Sequence, residues 1–133
     1  MATNARSDEV STLVRVLEAL RRLDPDMPIQ YALSFLTVAQ NEGLSIRELS
    51  ERLGIAQSSA SRNVAALSRW RGFDRPGHDL VQATEDPRER RRKVVTLTPR
   101  GRALVDELRA LVSPPSPPPR PPPRSRERRP FRG

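Results

Sequence analysis

The chain has 133 residues and a formal net charge of +8, which suits one small folding unit rather than two. It contains no cysteine and a single histidine, His78, which excludes disulfides and thiol redox chemistry and argues against a zinc site built from protein ligands. No apolar run approaches the ~18–20 residues of a membrane helix, and Asp8, Glu9 and Arg15 interrupt any secretory signal core, so the expectation is a soluble cytoplasmic protein that needs no cofactor or metal.

In chain order, Val10, Leu13, Val14, Leu17, Leu20 and Leu23 recur at intervals of three and four and predict one face of a first helix over 7–23. Ser7 is its expected N-cap, with Asp8 and Glu9 in the first turn. Asp24-Pro25 and Met27-Pro28 end it. A second helix over 29–40 is apolar on two sides. Ile29, Ala32, Leu33, Leu36 and Ala39 form one stripe, and Tyr31, Phe35 and Val38 the other. A short helix of that kind belongs at the centre of a domain. Its aromatic stripe reads as core packing before it reads as the lining of an effector pocket.

Ser45-Ile46-Arg47-Glu48 has the spacing of a capping box and opens a helix over 46–53. A tight turn at Gly54-Ile55-Ala56 leads into another helix over about 57–70. Two short helices joined this way make a helix-turn-helix. Ala56 and Ala60 permit close approach of the two helices, and Ile55 anchors the turn. The outer face of the second helix then carries Gln57, Ser58, Ser59, Ser61, Arg62 and Asn63, with no acid anywhere from 57 to 70. Arg pairs with guanine O6 and N7, and Gln or Asn with adenine N6 and N7, in the major groove of DNA.

Leu80 to Ala83 and the β-branched run Val94 to Thr98 predict two paired strands. Their connection holds Arg88, Arg90, Arg91, Arg92 and Lys93. Such a wing can place arginine in a minor groove, where negative potential concentrates. Trp70, at the end of the preceding helix, is expected to pack against this wing. Thr98-Pro99 opens a last helix with Pro at its first position, striped by Leu104, Val105, Leu108, Leu111 and Val112. Beyond it, 113–133 holds nine of the fourteen prolines and no aliphatic residue. Proline lacks an amide hydrogen, so a disordered or polyproline-like tail is expected.

The charge follows the same division. Residues 47–102 carry thirteen Arg and Lys against seven acids, and the tail six against one. That asymmetry suits a phosphate backbone. Catalysis finds no support. His78 reads as an exposed loop residue with no Gly-flanked serine to serve, and the six glycines are scattered singly, so no phosphate loop exists. The reading is mainly α with a small β-wing: a winged helix-turn-helix domain over 7–112, then the tail over 113–133.

Residues 44–104 resemble the DNA-binding lobe of the MarR family of bacterial regulators. The resemblance rests on LSIRELSERLGIAQSSASRNVAAL and, more specifically, on DPRERRRKVVTLTPRGRAL. It implies that Gln57, Ser58, Ser59, Ser61 and Arg62 face the major groove. It also implies that Arg91, with Arg90, is the wing-tip minor-groove contact, and that Asp86 is structural, pairing with a nearby arginine. It further implies a dimer on pseudo-palindromic DNA, often released by a small-molecule effector, here unidentified. The sequence departs from the family at Ala56, where a Ser or Thr cap is usual, in an apparent insertion over 73–79, and in a last helix that stops near Val112.

The residues themselves predict a homodimer, because the apolar stripes of the first and last helices exceed what one protomer can cover. Two rival functions remain beside the transcription regulator. One is a phage or plasmid winged-helix protein for replication or DNA architecture without an effector. The other is an interaction protein that uses its Pro/Arg tail.

Overall fold

A computed structural model describes residues 4–72 and 74–113. Phe73 and the tail beyond Ser113, including its expected disorder, lie outside the described residues. Helix α1 spans Asn4–Leu23. It begins before Ser7, which therefore lies inside the helix and is not its cap. Ala5 and Arg6 are strong helix formers and let it extend toward the N-terminus. Its expected single face divides: Val16, Ala19, Leu20 and Leu23 join the core, whereas Val10, Leu13, Val14 and Leu17 stay 48–62% exposed.

Helix α2, Ile29–Gln40, divides in the same way. Phe35 and Val38 are fully buried, but Ile29, Leu33 and Leu36 face outward. The helix thus covers the core with one stripe only, which corrects the expectation of a helix enclosed on both sides.

Strand β1, Leu44–Ser45, leads directly into α3, Ile46–Leu53. The Ser45 hydroxyl accepts from the Glu48 amide, and the Glu48 carboxylate accepts from the Ser45 amide, each at 3.0 Å. This reciprocal box satisfies two of the amides that a helix start leaves unbonded. Gly54 closes α3 at φ +68, a left-handed conformation that costs glycine nothing. Helix α4 spans Gln57–Leu67, and Ala56, its N-cap, provides no side-chain hydrogen bond.

Helix α4 stops three residues short of the expected end, and residues 69–80 explain why. Strands β2, Trp70–Gly72, and β3, Arg75–Pro76, form a small hairpin. The chain then returns along the helix end. The amides of Gly77, His78, Asp79 and Leu80 donate to the carbonyls of Arg69, Ala66, Ser68 and Leu67. A helix terminus leaves its last carbonyls unpaired, and here a strand-like segment satisfies them. The apparent insertion is therefore a backbone cap for α4. Gly77 is part of it, since a Cβ there would lie 2.0 Å from the Ser68 carbonyl oxygen.

Strands β4, Val81–Glu85, and β5, Lys93–Leu97, pair antiparallel from Val81↔Leu97 to Glu85↔Lys93. β1 adds to the other edge of β5, giving the order β1-β5-β4. Helix α5, Pro99–Val112, starts under a Thr98 N-cap whose hydroxyl accepts from the Gly101 amide at 3.0 Å. One core joins these elements through Phe35, Val38, Leu49, Val64, Leu67, Leu80, Val81, Val95, Leu97 and Leu108.

Candidate nucleic-acid interface

Helix α4 turns Ala60, Val64 and Leu67 into the core, each at most 3% exposed. Gln57, Ser58, Ser61 and Arg62 are left on the solvent side, with Ser59 half-buried beside them. The Arg62 guanidinium rests on the Ser59 hydroxyl at 3.4 Å and is otherwise free to extend. With neither acid nor bulky apolar group on this face, a DNA edge could approach it closely.

Asn63 departs from the sequence reading. It is 5% exposed and points inward, where its amide donates to Ser34 Oγ at 3.2 Å and Gln30 Oε1 at 3.4 Å. It is a buried link between α4 and α2, not a base-reading residue. The signal was present in the spacing, since position 63 adjoins the inward line of 60, 64 and 67. We expect Asn63→Ala to cost about 1–3 kcal/mol, because Ser34 and Gln30 lose a buried partner. Base preference should not change. Denaturant melts and binding to a panel of duplexes check the two halves of that expectation.

The wing stands beside α4. Asp86 begins its turn: Oδ1 accepts from the Arg88 amide at 2.9 Å, and Oδ2 lies 3.7 Å from Arg92 Nε. Arg88, Arg90, Arg91 and Lys93 are exposed, and among the described residues no carboxylate pairs with them. Arg92 differs. Its guanidinium reaches back to Glu48 at the start of α3. Hydrogen bonds from Ser45, assisted by Arg92, hold the Glu48 carboxyl below the usual carboxylate range. Between wing and helices lies a groove of about 460 Å³ lined by Ser45, Ile46, Arg47, Gln57, Ser61, Glu89, Arg91, Arg92 and Lys93. The structure thus brings Gln57 and Ser61 to the same groove as Arg91 and Lys93. Arg47 on α3 completes its cationic lining and was not among the residues singled out from sequence. As an exposed arginine on a helix that mixes both signs, it gave no distinguishing signal.

Two further expectations need correction. Trp70 is in β2 rather than in the helix and is 59% exposed, with the Arg69 guanidinium 6.0 Å from its ring centroid. The early end of α4 removes it from the position that would have packed on the wing. His78 is not an exposed loop residue. Its Nδ1 meets the Ala66 carbonyl at 3.0 Å and its Nε2 meets Asp24 Oδ2 at 2.9 Å, so it ties the α1–α2 connection to the end of α4.

The bond from His78, then that from the Asp26 amide, keeps the Asp24 carboxyl below its ordinary value. A carboxyl with a lowered folded-state value stabilises the fold above its unfolded value and loses that contribution as pH falls through the folded one. Stability should therefore decline as pH drops below about 4. Asp24→Asn should flatten that acid limb, as thermal melts across the range would register.

The geometry has counterparts among known proteins. The IclR helix-turn-helix domain model matches residues 37–71. No curated protein sequence matches the chain. Among solved structures, Staphylococcus aureus MepR in complex with DNA is similar with a TM-score of 0.62 at 18% identity, covering 80% of this chain and 79% of that one. A MarR family transcriptional regulator from a Rhodococcus species has a TM-score of 0.55 at 25% identity, covering 77% and 65%. A MarR transcriptional regulator from Methanosarcina mazei has a TM-score of 0.58 at 17% identity, covering 75% and 65%. The chain thus spans slightly under two thirds of the length of the last two. Helix-turn-helix, wing and flanking helices agree with this architecture, and the chain has a winged helix-turn-helix fold similar to that of these regulators.

Proposed function

We propose that this protein is a sequence-specific transcription regulator that binds double-stranded DNA and carries no catalytic activity. The observation that carries the reading is the common groove of Gln57 and Ser61 on α4 and Arg91 and Lys93 on the wing. In this reading Gln57, Ser58, Ser59, Ser61 and Arg62 meet base edges and phosphates in the major groove. Arg88, Arg90, Arg91 and Lys93 reach the adjoining backbone and minor groove, with Asp86 shaping the wing. The charge needed to attract a duplex sits on these elements, and net positive charge of this kind acts through counterion release.

The proposal includes a homodimer, on a surface different from the one expected. Leu104, Val105, Leu108 and Leu111 of α5 pack inward within the protomer, leaving Val112 exposed on that helix. The uncovered apolar surface lies on α1 and α2 instead: Leu13, Leu17, Ile29, Leu33 and Leu36 are 36–66% exposed. Leu17 and Ile29 line one groove between the two helices. Burying an aliphatic side chain of this size contributes about 1.5–3 kcal/mol, so the face favours a second copy, which in turn implies a two-fold site on DNA.

Selection of bound fragments from random duplexes tests the function. A discrete, two-fold motif is the expected result, with affinity falling about 0.9 log units per phosphate contact for each tenfold rise in salt. Weak preference with equally steep salt dependence would favour an architectural DNA-binding protein, and absence of duplex binding would overturn the reading. Sedimentation equilibrium tests the dimer. The wild-type chain should self-associate at micromolar concentration, and a Leu13→Glu, Leu33→Glu double variant should be monomeric.

A further inference from the structure

We propose that Arg92 is a positioning residue and not a DNA contact: held between Glu48 of α3 and Asp86 of the wing turn, its guanidinium sets the angle of the wing against the recognition helix. This inference rests on the DNA-binding reading above. Arg92 is one of five cationic residues in the wing run, and composition alone gives it the same role as its neighbours. Its surroundings do not. It is the member of that run with carboxylates on both sides, Glu48 and Asp86, and both carboxylates have structural work of their own. Glu48 closes the capping box on Ser45, whose backbone pairs with Val94 of β5. Asp86 accepts from the Arg88 amide and starts the wing turn. The same turn is closed by the Asp86 amide donating to the Arg92 carbonyl at 2.8 Å and the Arg92 amide donating to the Glu89 carbonyl at 2.9 Å.

Arg92 therefore joins the start of the helix-turn-helix to the base of the wing. A guanidinium suits this task, since its planar fork offers several donors in fixed directions and can serve two carboxylates at once. With two carboxylates beside it, the Arg92 guanidinium has its charge offset locally and is a weaker partner for a phosphate than its unpaired neighbours. The other end of β5 is held by similar means. Glu42 accepts from the Leu97 amide at 2.9 Å and from the Arg102 guanidinium at 3.0 and 3.1 Å. A carboxylate thus ties each end of the strand to the helices, so the wing is set as a rigid projection beside α4 rather than a free loop.

The test compares Arg92→Ala, Glu48→Gln and their double variant with Arg91→Ala. Gln at position 48 retains the capping box while removing the charge that holds Arg92. If Arg92 positions the wing, Glu48→Gln and Arg92→Ala both weaken binding to the best duplex, on the order of tenfold for Arg92→Ala, and the double variant is no worse than Arg92→Ala alone. The salt slope stays at its wild-type value. If Arg92 contacts phosphate, Arg92→Ala lowers the salt slope by about 0.9, as Arg91→Ala is expected to do, and Glu48→Gln strengthens binding by releasing the arginine. That pair of results would overturn the proposal.

Amide hydrogen exchange on the free protein gives a second readout that needs no DNA. Arg92→Ala and Glu48→Gln should both speed exchange at the Asp86 and Arg92 amides, and Arg91→Ala should not. Unchanged exchange in the first two variants also overturns the proposal. Failure of the wild-type protein to bind any duplex defeats the functional reading, and the exchange measurement then decides the positioning role by itself.

Discussion

Arg62→Ala should cost about 1–3 kcal/mol on the best duplex, roughly a 5- to 150-fold loss, and should relax base preference at one position of the site. Arg62 is the longest side chain on the outer face of α4, and its contact with the Ser59 hydroxyl at 3.4 Å is a weak restraint. A guanidinium in that position can bond two acceptors of a single guanine, and removing it leaves those acceptors with water alone. Arg91→Ala should behave differently. Arg91 lines the groove from the wing side, where the backbone and minor groove carry little base information. Affinity should fall on most sequences alike, most of all where the minor groove is narrow, and the salt slope should fall by about one contact. Titration of both variants against the selected site and single-base changes at two salt concentrations checks this. Uniform loss in both would remove base reading from the face of 57–62.

Gly101→Ala should be strongly destabilising. Gly101 follows the Leu97-Thr98-Pro99-Arg100 turn into α5 and is buried. A Cβ at this position would lie 2.0 Å from the Leu80 carbonyl oxygen and 3.0 Å from its carbon. Neither is a movable side-chain end. The same Leu80 carbonyl accepts the Thr98 amide at 3.1 Å, and Thr98 in turn caps the helix by accepting from the Gly101 amide. Relief of the clash therefore requires α5 to withdraw from the start of the wing strand and to disturb its own cap. Overpacking costs typically about 1–3 kcal/mol, and a clash against fixed backbone belongs at or above the upper end. For a domain of this size that corresponds to a fall in melting temperature on the order of 15 °C. Arg100→Ala, at the exposed neighbouring position, should melt within a few degrees of wild type, and an equally small shift for Gly101→Ala would show that α5 can shift freely.

The Leu97–Gly101 stretch shows how much a short motif can hold. Leu97 enters the core, Thr98 caps, Pro99 occupies the first helical position and Gly101 permits the approach of Leu80. Each assignment is a local consequence of residue type, and so are the capping box of Ser45 and Glu48 and the left-handed turn at Gly54. Helices α2, α3 and α5 accordingly fall where period and caps place them. The outward face of α4 is legible for the same reason, because inward Ala60, Val64 and Leu67 leave Gln57, Ser58, Ser61 and Arg62 on the opposite side.

Sequence periodicity determined which residues could be inside; tertiary structure decided which of them are. An apolar stripe states that a face prefers burial, not which neighbour supplies it. Hence α1 and α2 both carry leucines that their partners within the protomer do not reach, while the stripe of α5 is mostly covered. Hydrogen bonds between elements distant in the chain leave still less trace. Asn63 reads as a polar surface residue until Ser34 and Gln30 come within reach, and His78 reads as a loop residue until Asp24 does. The end of α4 is set by amides of residues 77–80 returning to its carbonyls, an interaction absent from helix propensity. The four wing arginines are equivalent as residue types, and proximity to Glu48 and Asp86 distinguishes Arg92 from the rest. Local caps and periods act over a few bonds, so the residues encode them directly. Pairings across thirty to fifty residues depend on where the packed helices bring the partners, and only the assembled fold specifies that.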